Sequence, residues 1–201
     1  MADRKKRFDK DSINLMVAVC AVLISAASFY ATYVQSTAAE RQVKAETWPY
    51  LQINSGNYNI EKEELVLYWQ MQNAGVGPAH VKAFQMYYDG QSVRNINNVL
   101  RLCCLEEGET PFDENGRVTA KFSNIVTGNP VPAIIPAGED KLVFSIPKTD
   151  ANEDLWNKLD VARFKLTATG CYCSLLDECF ETDFESEPVE VDFCKLPPKE
   201  N

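Results

Sequence analysis

The sequence is poor in the residues that carry out chemistry. One histidine, His80, stands among 201 residues, so any nucleophile–histidine–acid arrangement would rest on that single imidazole. There is no C-x2-C pair, the spacing that makes a zinc knuckle convincing. The glycine-rich turn "GVGP", Gly75 to Pro78, is followed by neither the lysine nor the helix start that a phosphate loop requires. Positive charge is also scarce, with 20 Lys and Arg against 29 Asp and Glu. That balance is a poor match for nucleic acid or anionic lipid headgroups. These absences lead to the expectation of a protein that is not an enzyme, with no catalytic residues, no metal and no cofactor.

Charge is missing altogether from Ile13 to Val34, "INLMVAVCAVLISAASFYATYV". As a helix these 22 residues reach roughly 33 Å, enough for the hydrocarbon core of a bilayer. Asn14, Ser25, Ser28 and Thr32 are its clearly polar residues, and hydroxyls can bond back to a helix backbone. Phe29, Tyr30 and Tyr33 crowd the C-terminal end, where aromatic rings favour the membrane interface. A transmembrane helix over 13–34 is expected. A cleaved signal peptide is the rival reading, with cleavage near "STAA", but such apolar regions are shorter. A lipoprotein signal fits poorly, because Cys20 sits mid-run after Val19.

The flanking charge gives a direction. Arg4, Lys5, Lys6, Arg7 and Lys10 precede the run, against Arg41 and Lys44 close behind it. The basic head, residues 1–12, is therefore expected in the cytoplasm and the remainder in the periplasm. Setting aside the charges ahead of the run leaves 26 acidic and 15 basic residues, a net charge near −11. Residues 35–48 favour a helical stalk that stops at Pro49. Ala21, Ser25, Ser28 and Ala31 form a stripe of small residues that suits close approach of a second helix.

Outside the cytoplasm, thiols are driven toward disulfides. Six cysteines follow the membrane segment, Cys103, Cys104, Cys171, Cys173, Cys179 and Cys194, an even number that permits complete pairing. Cys173 and Cys179 flank "SLLDE", a link short enough to close a hairpin. Cys171 and Cys173 point the same way on a strand, so different partners are expected for them. Adjacent Cys103 and Cys104 can form a vicinal bridge, but separate bridges to Cys171 and Cys194 are the more natural expectation.

After Pro49 the period changes from helical to two. "LVLYWQMQN" places Leu65, Leu67, Trp69 and Met71 on one face of a strand. "AHVKAFQMYYDGQSV" reads as a strand entering an Asp89-Gly90 hairpin. "NINNVLRLCCLEE" breaks the alternation, as a short helix or an irregular excursion. "DENGRVTAKF" predicts a turn at Asn115-Gly116 and another strand, and "KLVFSIP" a strand carrying Leu142, Phe144 and Ile146. "TDANEDLWNKLD" predicts a helix capped by Asp150, with Glu153 three residues later. "VARFKLTATG" then predicts a strand with Ala162, Phe164, Leu166 and Ala168 inward, and "FETDFESEPVEVDF" an alternating acidic stretch bent at Pro188. Seven to nine short strands over 49–195 read as one antiparallel β-sandwich, followed by a loose tail at 196–201. The fold class expected is mainly β, an immunoglobulin-like sandwich preceded by one long transmembrane and stalk helix.

Three stretches also carry a resemblance. "WPYLQI" from Trp48, "NAGVGPAHVKAFQMYYDG" from Asn73, and "CYCSLLDECF" resemble a group of bacterial proteins with one N-terminal membrane helix and an immunoglobulin-like exported domain. The shared pattern is an N-x-G-x-G-P-A turn, here Asn73, Gly75, Gly77, Pro78 and Ala79. Tyr88 and Gly90 follow as a hairpin, then Tyr172, Cys173, Ser174 and Cys179. The chain departs from the pattern in its additional cysteines, and in "CF" where a tryptophan is common. The resemblance implies architecture and export, and it implies no activity.

Candidate chemistry is thin. His80 as a base, Ser174 near Asp177 and Glu178, and a calcium site from Asp177, Glu178 and Asp183 are each weaker than a structural or surface role. The expected function is a membrane-anchored periplasmic binding or assembly domain. Its partner would be an envelope protein or further copies of itself, with no nucleic acid; the sequence names no small-molecule ligand. The alternative is a membrane effector whose helices associate to permeabilise the bilayer.

Overall fold

The computed structural model describes residues 10–195, and the chain divides into two compact units that meet in sequence between Glu46 and Thr47. The expected basic residues Arg4 to Arg7 and the expected tail at 196–201 lie outside the described residues.

The first unit is one helix, α1 (Lys10–Glu46), of 37 residues with no buried side chain. It is long and apolar enough to cross a membrane. The expected span and stalk run together without a break. The helix ends at Glu46, two residues short of the sequence expectation, because the residues ahead of Pro49 are pushed out of helical geometry. Ser25 Oγ donates to the Ala21 carbonyl at 2.8 Å, and Thr32 and Thr37 repeat the pattern onto Ser28 and Tyr33. Their hydroxyls thus need no partner outside the helix.

The second unit holds two antiparallel sheets. The first has the order β1 (Leu51–Gly56), β2 (Val66–Asn73), β7 (Asp140–Pro147), β5 (Val126–Thr127). The second runs β10 (Val189–Val191), β9 (Cys179–Thr182), β8 (Leu166–Cys173), β3 (Ala79–Tyr88), β4 (Gln91–Val93). A further strand, β6 (Ala133–Ile135), pairs with the first half of β3. One core takes residues from both sheets. Trp69 of β2 lies between Phe144 of β7 and Phe84 of β3, with ring centroids 6.0 Å away on each side. Counted over the described residues, helix and strand are about even, since α1 is so long; "mainly β" describes only the second unit.

Period-two reading holds in β2, where Leu67, Trp69 and Met71 are buried. Leu65, expected with them, lies ahead of the strand and is exposed. The break at "NINNVL" is a helix, α2 (Ile96–Cys103), capped by Asn95, whose side chain accepts from the Asn98 amide. The turn at Gly116 forms, with φ +72°, but the strand expected after it is reduced to a single bridge between Phe112 and Val118.

Two further expectations need correcting. Helix α3 (Glu153–Ala162) starts at Asn152, not Asp150. The Asn152 side chain faces backward, accepting from the Thr149 amide and donating to the Pro147 carbonyl, so it ties the helix to the end of β7. The helix then runs through Ala162, and a 3-10 turn covers Arg163–Lys165 before β8 begins. Phe164, expected inward, is 76% exposed. Its ring carries the Arg163 guanidinium at 4.3 Å instead. Alternation had continued through "VARF" because period two and a helix end look alike over four residues.

Candidate functional site

Two constructions stand out in the second unit: a clamp on the segment by which the chain enters it, and a cluster of sulfurs on one sheet face.

The clamp is built by the β2–β3 turn. Asn73 ends β2 fully buried, and its side chain makes four hydrogen bonds. Nδ2 donates to the carbonyls of Gly77 at 2.8 Å and Ile135 at 3.0 Å. Oδ1 accepts from the amides of Tyr50 and Gly75. The turn backbone then holds the entering chain directly: Ala74 N–H donates to Tyr50, and Val76 and Gly77 N–H both donate to the Trp48 carbonyl. Such close backbone approach leaves no room for side chains. A Cβ at Gly75 would strike the Tyr50 amide, and one at Gly77 the Thr47 carbonyl. Asn73, Gly75, Gly77 and Pro78 therefore belong to one device, and what the sequence did not reveal is its object, the Thr47–Tyr50 segment. The signal was present as Gly-x-Gly beside a buried-type Asn, but nothing in it names the strand being gripped.

The sulfur cluster follows from the alternation of β8. Leu166, Ala168 and Tyr172 face the core, so Cys171 and Cys173 face outward. The Cys173–Cys179 pair stands at disulfide distance across the β8–β9 register, with Cα atoms 4.0 Å apart. Cys171 pairs with Cys194, Cα atoms 5.6 Å apart, which draws the chain beyond β10 over the sheet's outer face. Cys103 and Cys104 pair with each other. The expectation that they would reach Cys171 and Cys194 is thus corrected: the two pair with each other, and Cys194 has already occupied Cys171. Cys20 stands unpaired in α1.

The weaker candidates stand at separate places in the second unit. His80 is half-buried and sits opposite Cys173 in the β3–β8 register. Ser174 is buried, and its hydroxyl accepts from the amides of Leu176 and Glu178, which shapes the hairpin turn. Asp177 and Asp183 lie at opposite ends of β9 and share no site. Asp183 instead accepts from the amides of Glu185 and Ser186 and from the Ser186 hydroxyl. Those bonds, chiefly from Ser186, hold its carboxyl at about 2, below the ordinary aspartate range. Burial pushes the Tyr172 phenol up to about 12, which suits a core residue. Ala21, Ser25, Ser28 and Ala31 are all exposed on α1.

An open hollow of about 540 Å³ adjoins the cluster, lined by Gln85, Thr169, Cys171, Glu181, Asp183 and Lys195 among others. On the opposite, core-facing side of β8, a Cβ at Gly170 would meet the Phe184 ring at 2.8 Å. No protein-family model, curated protein or solved structure matches this chain.

Proposed function

We propose that the chain is a membrane-anchored, non-enzymatic binding or assembly domain. α1 spans a bacterial inner membrane with its basic head inside, and the second unit is displayed in the periplasm as an immunoglobulin-like sandwich. The observation that carries this reading is the cysteine arrangement. All six cysteines of the second unit stand in pairs at bonding distance, while Cys20, within the apolar helix, stands alone. Complete pairing suits an oxidising compartment, and the apolar helix suits a tether.

The clamp supports the same reading. The chain is gripped at Trp48, two residues after α1 ends in the sequence. Ser174 spent on a turn, and His80 without a carboxylate ion-pair partner among the described residues, support a role in binding over one in catalysis. The partner is an envelope protein or a second copy of this chain.

Site-specific photocrosslinking in intact membranes, from exposed positions such as Val161, Phe164 and Leu175, tests the proposal. A discrete adduct with an envelope protein or a dimer is expected; monomer at every position, in every growth condition, contradicts it. The alternative of a bilayer-permeabilising effector is weaker, since the Ser25 and Thr32 hydroxyls are satisfied within their own helix. Dye leakage from vesicles carrying the helix, abolished by Ala21→Leu or Ser28→Leu, would instead favour it.

A further inference from the structure

Three sulfurs meet on the outer face of the second sheet and a fourth is bonded to one of them; two strands and the segment after β10 supply them. Besides the two bonded pairs, Cys173 Sγ and Cys194 Sγ, which belong to different pairs, lie 3.8 Å apart. The sulfurs of Cys173, Cys179 and Cys194 all fall within 4.8 Å of one another, and Cys171 joins them through Cys194. Zinc holds thiolates at about 2.3 Å in a tetrahedron, whose neighbouring corners therefore stand about 3.8 Å apart. One non-bonded spacing between the two pairs, Cys173 to Cys194, already matches that edge.

We propose that the reduced form of this cluster, Cys171, Cys173, Cys179 and Cys194, is a tetrathiolate site for a thiophilic divalent cation, zinc above all. Soft sulfur donors select zinc over magnesium or calcium, and four protein ligands leave no open position, so the site is structural. Cys171, Cys173 and Cys179 are buried and Cys194 is half-buried, which gives the metal one entry point. Cys103 and Cys104 offer just two adjacent sulfurs and no such set.

The chemistry balances with a dithiol as reductant. Each disulfide takes two electrons and two protons from one dithiol, which is oxidised to its own disulfide; two dithiols yield four thiols. The cation then displaces four protons, leaving a site of net charge −2. Lys195, beside Cys194 in the chain, brings a positive charge toward it. Either state staples the β8–β9 hairpin to the segment after β10, once by covalent bonds and once through the metal. Local spacing hides the site, because C-x-C-x5-C is not knuckle spacing and Cys194 arrives from beyond another strand.

The test uses the full chain in detergent, reduced with a dithiol under argon, freed of reductant and titrated with cobalt as a spectroscopic stand-in. The expected result is one cobalt per chain, with the intense visible bands and thiolate charge-transfer absorption of a tetrahedral sulfur site, bleached by one equivalent of zinc. Cys173→Ser and Cys194→Ser should lose that spectrum, and the Cys103→Ser, Cys104→Ser double variant should keep it. No tetrahedral spectrum, or one that follows Cys103 and Cys104, overturns the proposal. Should the single variants fail to fold, X-ray absorption of the zinc-loaded parent decides: four sulfurs at about 2.3 Å support the site, and fewer reject it. The inference does not rest on export, and failure here leaves the membrane topology untouched.

Discussion

Asn73 Nδ2 donates to the Gly77 carbonyl at 2.8 Å, from a side chain with no exposure to solvent. The same amide reaches Ile135, Tyr50 and Gly75, so one residue joins the segment ahead of β1, the β2–β3 turn and β6. Asn73→Ala should cost about 3 kcal/mol, because buried partners on four backbone groups are lost together. Asn73→Asp should be no better, since it deletes both donors and buries a charge. Thermal unfolding of the full chain in detergent, followed by tryptophan fluorescence, measures both.

Two glycines separate crowding from backbone strain. Gly77→Ala should destabilise severely, since its Cβ collides with the Thr47 backbone, and should free the Thr47–Tyr50 segment to proteolysis. Gly90→Ala meets open space, but φ is +79°, so about 1 kcal/mol is expected. Equal losses at the two positions would contradict the clamp.

The 3-10 turn before β8 yields a contrast between near neighbours. Leu166 is buried and Phe164 exposed. Leu166→Ala should cost about 2–5 kcal/mol, whereas Phe164→Ser should change stability by less than about 0.5 kcal/mol. Denaturant titration distinguishes this from the strand read straight through "VARFKL", in which both would be costly.

That contrast shows where the sequence was legible. Long alternating runs such as Leu67, Trp69 and Met71 announced their strand and their inward face, and the uncharged run from Ile13 announced the helix. Short junctions did not. Phe164 satisfied period two by accident, and Asp150 had a cap's chemistry while Asn152 had the position. The Asn73 turn was visible as a motif, yet its purpose depends on a chain segment 23 residues earlier, which local pattern does not encode. Cysteine pairing was the least readable, since the link from Cys171 to Cys194 depends on how the chain after β10 crosses the sheet.

Acid dependence should single out Asp183. Its folded carboxyl titrates at about 2, against 3.8 for an ordinary aspartate, through the Ser186 and Glu185 bonds. The stabilisation is present above the unfolded value and fades as pH falls from about 4 through about 2. Asp183→Asn should remove this part of the acid sensitivity, and a carboxyl-carbon NMR titration should place the midpoint well below 3.8. A midpoint near 3.8 would mean the turn is not formed.

The most direct test of the account is alkaline phosphatase fused after Lys195, an enzyme active only where its disulfides form, paired with a green fluorescent protein fusion at the same position. Export of an oxidised domain predicts high phosphatase activity, no fluorescence, and an alkylated native protein with a single free thiol, at Cys20. An inactive phosphatase, a fluorescent partner fusion and six alkylated cysteines beyond the helix would place the domain inside the cell and contradict the account.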